Sequence, residues 1–487
     1  MGDSHLTRYG WQLNYWSKQG VPCRYPKSLL SYIIQPYAYE KISMDMTSLQ
    51  KHGKVYGSFY KGIPVLNITE PELIKQIFVK DFYRYRNNNK DIVPAVRLHP
   101  WLSNNVIVNR DDQWKRVRSV ISQTFSTGKL KTIFPVMNKS INNIINECLG
   151  SLLDSNGDGQ VDMERLGNVI SIRVTMSCIY GVKLDIADNE LVKHCDNMFV
   201  YDELKLFIYN MLPEWMHRAF GMVHPVEWSN RYFIHIIDKT IQMLINNNNN
   251  DTNCVMNWLI KSLKTNENSD IKYQHLEFNE LLPNGWLLIV AGFNATATTL
   301  MYTMYELAIN PNIQKRLYEE IVAKTGDDVD GKLSYEMLLD MPYLEAVIKE
   351  TLRVYPPIFE NGREVSIDST IGDTGIVMKK GTYIRFNTYA VHHCADYFPE
   401  PEKFLPERFL PENRDHIIPY TYLPFSDGPR KCVANLFVYM EIKLVLINIL
   451  KRYELYQCPK TDVPIRYIKH SKVLAPERVV LGVKHRY

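Results

Sequence analysis

The chain has 487 residues, 45% hydrophobic and 23% charged, a globular make-up with enough length to bury a core around a large cofactor. A net charge of +4 is too small to argue for nucleic acid. Eight scattered cysteines without a C-x-x-C pair describe reduced, cytosol-facing thiols and exclude a disulfide framework.

The N-terminus carries Asp3, His5, Arg8, Lys18 and Arg24, so neither a signal peptide nor an anchor helix is expected there. Residues 1–30 read as an extended lead-in marked by Pro22 and Pro26. Alternating apolar and polar residues from Lys54 to Thr69 predict a hairpin, Val55–Gly57 against Val65–Asn67. After an irregular polar stretch, Asp111 or Asp112 should cap a helix that places Trp114 and Arg118 on one face. Residues 154–165 match a calcium loop at several positions, but Arg165 stands where the bidentate Glu belongs, and a polar turn is the better reading. Met198 to Trp228 is aromatic and aliphatic, broken by Pro213, Gly221 and Pro225. It suits a membrane interface and ordinary core equally well. Asn246 to Asn250 reads as a surface loop.

Leu281 to Tyr305 holds 25 residues without a charge, long enough to span a bilayer. Pro283, Asn284, Gly285, Gly292, Asn294 and its threonines are costly in lipid, so a buried helix is expected, started or kinked by Pro283. Met341 to Tyr355 should be a helix ended by Pro356-Pro357, with Glu350 and Arg353 on one face. His392-His393-Cys394 is expected on a strand, where alternate faces keep the three from converging on a metal. Phe425-Ser-Asp-Gly-Pro-Arg-Lys-Cys432-Val-Ala434 then runs into an apolar helix expected to start near Val433. A cysteine at a helix N-terminus, beside Arg430 and Lys431, favours thiolate. Thiolate ligates soft metals, haem iron among them; Gly428 permits close approach to a flat cofactor, and Phe425 can cover the sulfur.

This ten-residue stretch resembles the haem-binding loop of cytochrome P-450 enzymes. Trp114-Lys-Arg-Val-Arg118, Glu350-Thr-Leu-Arg353 and Pro406-Glu-Arg-Phe409 match three further segments of that family, in its order. The resemblance runs from about Tyr15 to the C-terminus and is nearest the animal microsomal type, in the clan of broad-specificity liver oxidases and thromboxane synthase. It implies a mainly α fold with small β-sheets, with residues 31–487 as one integrated haem domain. That type normally begins with a membrane anchor helix, which residues 1–30 lack. It implies haem b on Cys432, with Trp114, Arg118 and Arg363 on the propionates and Phe425 and Arg430 in the haem loop. Glu350, Arg353 and Arg408 would brace that loop. The implied setting is the cytosolic face of the endoplasmic reticulum membrane. NADPH–cytochrome P-450 reductase, with cytochrome b5, would deliver electrons near Lys115, Arg116 and Lys431, and xenobiotic or other lipophilic compounds would be substrates.

The chain departs from the family on the oxygen-binding helix. Asn294 stands where an acid is usual and Ala295 where the oxygen-activating Thr is usual, with Thr296 about 100° further round. Asn294 and Thr296 are the candidate catalytic residues. Thr296 is expected to bond the carbonyl of Gly292. Three activities remain open: a monooxygenase, a peroxide isomerase or dehydratase, and a haem protein that sequesters hydrophobic ligands.

Overall fold

The computed structural model describes residues 13–26, 38–60, 62–88, 99–150, 157–183, 227–246, 253–263, 275–328, 333–468 and 474–486, with scattered positions at 152–154, 190–222 and 331. The principal helices are α1 (Ala38–His52), α2 (Asp111–Thr124), α3 (Thr127–Gly150), α4 (Met163–Tyr180), α5 (Glu227–Asn246), α6 (Phe278–Ile309), α7 (Pro311–Thr325), α8 (Pro342–Val354) and α9 (Asn435–Arg452). The strands used below are β1 (Val55–Tyr60), β2 (Ile63–Ile68), β3 (Asp158–Asp162), β4 (Asn361–Glu364), β5 (Tyr383–Phe386), β6 (Tyr453–Tyr456) and β7 (Val480–His485). The molecule is mainly helical with small sheets, as its sequence led us to expect. Met1–Ile92, Leu352–Cys432 and Tyr467–Ala475 form one compact unit; Val93–Thr351, Val433–Arg466 and Pro476–Tyr487 form a second.

The first unit is built on a four-stranded sheet in the order β1-β2-β5-β4. The expected hairpin is present, with Val55 opposite Ile68 and Tyr60 opposite Ile63. β2 then pairs parallel with β5, and β5 antiparallel with β4. Trp16 is fully buried against this hairpin and donates from Nε1 to Ser58 O at 3.0 Å. Its indole fills the space a side chain at Gly57 would need, which is why the strand carries glycine there.

In the second unit α6 is the central helix, and 61% of its most apolar window is buried. It starts at Phe278 on a capping box, Glu277 with Glu280, so Pro283 lies inside the helix and does not begin it. α4 packs closely on it: Tyr180 Oη donates to Gly285 O at 2.5 Å, and Gly167 lies against Ala297. α9 is apolar and buried from Phe437 onward, while Leu436 points outward with 46% of its surface exposed. Each such leucine or isoleucine adds about 1.5–3 kcal/mol of burial free energy. A second sheet, β3-β7-β6, closes this unit.

Several expectations change. The α2 cap is Arg110, not Asp111 or Asp112; both acids lie in the first turn, where they still favour the helix dipole. His392 ends a short helix, Thr388–His392, and is not on a strand. The carboxylates of the calcium-like loop are committed elsewhere. Asp154 accepts the Asp158 N–H, Asp158 accepts from Tyr456 Oη, and Asp162 caps α4. Most of Met198–Trp228, and Asn247–Asn250, lie outside the described residues.

Candidate active site

The first unit carries the Cys432 loop. The Cys432 N–H donates to Phe425 O at 2.9 Å and the Lys431 N–H to Gly428 O at 3.1 Å, which curls the segment into a tight turn. Gly428 adopts φ +72°, and a β-carbon there would run into the backbone carbonyl of Phe78. Ser426 adopts φ +59° without being glycine, a strain of about 1–2 kcal/mol. Arg430 donates from Nε to Arg86 O, which ties the loop to the segment beyond Phe78. Cys432 itself is half-exposed. Helix α9 begins only at Asn435, capped by Ala434, so Cys432 precedes the helix instead of opening it. Its N–H is already used by the turn, and the first helical bond runs from Val438 to Ala434.

Arg363 on β4 is buried, with 4% of its surface exposed. Its Nη1 donates to Asn88 Oδ1 at 3.1 Å and to Gly362 O at 2.9 Å, while Nε and Nη2 have no partner among the described residues. Burial pushes this guanidinium down to about 10. A buried cation with two idle donors and no anion costs several kcal/mol, so the position fits a carboxylate ligand such as a haem propionate. The guanidinium lies 4.4 Å over the ring of Phe78, the same residue whose carbonyl shapes the Cys432 loop. Phe78, Arg86 and Asn88 are therefore site residues that sequence reasoning missed. Their partners lie hundreds of positions away, and nothing local marks them.

In the second unit α2 holds Trp114, buried, and Arg118, half-buried, four residues apart on one face as expected. Arg116 behaves differently from the surface cation expected. It binds the fully buried Glu280 through both nitrogens, at 2.8 and 2.6 Å, and His275 O at 2.9 Å. That pair secures the start of α6, while Lys115 is exposed. On α6, Trp286, Ile289, Phe293 and Ala297 are buried, whereas Ala291 is exposed and Gly292, Asn294 and Ala295 are partly so. Thr296 is buried and donates to Gly292 O at 2.8 Å, as anticipated.

Around the first unit's loop lies a rigid polar frame. Arg353, fully buried, donates to the carbonyls of His392, Pro401 and Lys403 at 2.8–3.0 Å. Glu350, one turn earlier on α8, belongs to the second unit and is fully buried there. Arg408 is half-buried and holds Glu400 O at 2.9 Å. His392 accepts the Leu423 N–H at Nε2, 3.1 Å, just before the Cys432 loop. His393 instead stacks on Tyr389 at 3.8 Å. Each residue is fixed by its own partner, and the histidines are structural.

Within the first unit, a thiol presented on a glycine-shaped loop and a buried guanidinium with idle donors suit a haem-thiolate protein. The chain belongs to the cytochrome P-450 family, whose model matches residues 22–483. It is 30% identical over 475 residues to cytochrome P-450 3A9 of Rattus norvegicus, covering 95% of this chain and 91% of that one. It is 29% identical over 476 residues to cytochrome P-450 3A17 of Cavia porcellus, covering 96% and 91%. Cytochrome P-450 3A11 of Mus musculus is 30% identical over 492 residues, covering 99% and 94%. The activity is haem-dependent monooxygenation, served by a redox partner and directed at lipophilic substrates. The isomerase and sequestration readings are not favoured.

Proposed function

We propose that the haem is haem b, that Cys432 is its axial ligand and that residues 31–487 work as one haem domain. Arg363, Trp114 and Arg118 bind the propionates, and Phe425 and Arg430 shape the thiolate side. Electrons come from an NADPH-dependent flavoprotein reductase, with cytochrome b5 as a second donor, on the cytosolic face of the endoplasmic reticulum. Exposed Lys115 and Lys431 suit an acidic partner. The substrates are lipophilic small molecules of the xenobiotic kind.

The observation that carries this reading is the Phe78 junction, where one residue shapes the Cys432 loop and stacks on the unsatisfied Arg363 guanidinium. Bound haem, with thiolate donating electron density, supplies dioxygen activation. The chain's own residues set how well protons accompany it. Asn294 does not titrate, Ala295 has no hydroxyl, and the Thr296 hydroxyl is committed to Gly292 O. We therefore expect much of the NADPH consumed to appear as hydrogen peroxide. The test is the reduced, carbon monoxide-bound protein, which should show the red-shifted Soret band of thiolate ligation. Cys432→Ser should lose it, and Arg363→Leu should lower haem content. An unchanged band in Cys432→Ser would overturn the assignment.

A further inference from the structure

In the second unit the middle of α3, the end of α7 and the last turns of α9 border a polar cavity of about 50 Å³. A water needs about 10–15 Å³ of such space, so the cavity takes about three or four water-sized atoms. Asn138 and Asn142 of α3, Thr325 of α7, and Asn448 and Lys451 of α9 supply its polar wall. Asn448 and Lys451 are each 8% exposed. Among the described residues that line it, Lys451 is the one charged side chain.

Arg452, also buried, sets how the amides point. A guanidinium only donates, so an amide it holds must turn its oxygen toward it. Nη2 donates to Asn142 Oδ1 at 2.6 Å, and Nη1 to Asn448 Oδ1 at 3.1 Å and Asn448 O at 3.2 Å. Asn448 Nδ2 in turn donates to Leu444 O at 2.9 Å and to Asn138 Oδ1 at 3.4 Å. The two α3 amides share one face, one helical turn apart, and both have their oxygens engaged. What they offer the cavity is N–H. Lys451 Nζ gives one of its three donors to Asp328 O at 2.5 Å. The acids of that turn, Asp327 and Asp328, are exposed. Thr325 spends its hydroxyl proton on Ile321 O at 2.8 Å. The wall is therefore rich in donors and carries a positive charge, with no carboxylate among the described residues that line it.

We propose that this cavity binds a small oxyanion of the phosphate class. Its oxygens accept from the Asn138 and Asn142 amides and from the Lys451 ammonium, the charge-assisted contact of the three. Arg452 is a positioning residue that keeps the amide oxygens turned away from the anion. Lys451 repels a cation. Water is the other guest that a polar cavity of this size takes, and the experiment separates the two. A bound anion ties α3 to α9 and stabilises the folded chain by mass action.

Equilibrium dialysis of the haem-loaded protein against radiolabelled inorganic phosphate, at fixed ionic strength, tests it. One phosphate per chain should bind saturably. Sulfate should displace it, and chloride at the same concentration should not. Asn142→Asp keeps the shape of the wall but sets a carboxylate on it. Lys451→Met keeps the buried stem and removes the charge. Each should weaken phosphate binding by about tenfold or more, on the scale of one hydrogen bond to a charged group. Both should retain the carbon monoxide Soret band. No saturable binding, undiminished binding in either variant, or equal displacement by chloride and sulfate overturns the proposal. If neither variant accumulates, a crystal of the unmodified protein soaked in phosphate decides. Tetrahedral density within hydrogen-bond reach of Asn142 Nδ2 and Lys451 Nζ supports the site, and water alone in the cavity overturns it.

Discussion

Gly428→Ala isolates the geometry on which the Cys432 loop depends. The native φ of +72° costs an L-residue about 1–2 kcal/mol. The added β-carbon also collides with the Phe78 carbonyl, reaching its carbon at 3.0 Å and its oxygen closer still. Phe78 sits inside a π-helical turn, Gln76–Lys80, closed by the Asp81 N–H on Gln76 O at 2.7 Å, so its backbone has little room to give. Overpacking of this kind adds about 1–3 kcal/mol, for a total of about 2–5 kcal/mol. Gly381 is the control: φ is +85° and nothing lies within 4 Å of its added β-carbon, so Gly381→Ala should cost only about 1–2 kcal/mol. Urea unfolding midpoints of both variants, read beside the carbon monoxide Soret amplitude, give the comparison. Equal midpoints for the two, with the full thiolate band retained in Gly428→Ala, would refute the collision and the loop geometry built on it.

Arg116→Glu should destabilise the protein by about 3–5 kcal/mol, because it strands the buried Glu280 carboxylate, while Lys115→Glu should slow only iron reduction; thermal melts beside stopped-flow reduction separate them. His392 and His393 are held neutral. Burial, then His393 and Arg353, pushes His392 down to about 3, and burial with Arg353 pushes His393 down to about 4. An unfolded histidine takes up its proton near 6.5. Stability is therefore complete above that pH and declines as pH falls toward the folded values, by about 2 kcal/mol per histidine at about pH 5. His393→Gln should remove one such increment from the difference between denaturant midpoints at neutral and acid pH, and an unchanged difference would count against it. Ala295→Thr should raise product per NADPH several-fold and lower hydrogen peroxide, on the scale of a restored general acid–base contact; tight coupling in the unmodified protein would show that the native supply suffices.

The sequence by itself determined the class of this protein. Short-range pattern carries the β1–β2 hairpin, the α6 and α8 helices, the Trp114/Arg118 face and the Cys432 motif, because each depends on residues a few positions apart. The Thr296 bond to Gly292 followed in the same way, from helix geometry alone. What the tertiary structure decided involves partners far apart in the chain. Phe78 beneath Gly428 and Arg363, and Arg116 on Glu280, are set by packing that no local period records. The start of α9 at Asn435 depended on where the Cys432 N–H was spent, a turn back to Phe425. Glu441 left one legible trace, a lone acid in an apolar helix. Only the tertiary structure buries that acid, and burial pushes its carboxyl up to about 8, because a carboxyl's charge state is fixed by its surroundings and not by its place in the sequence.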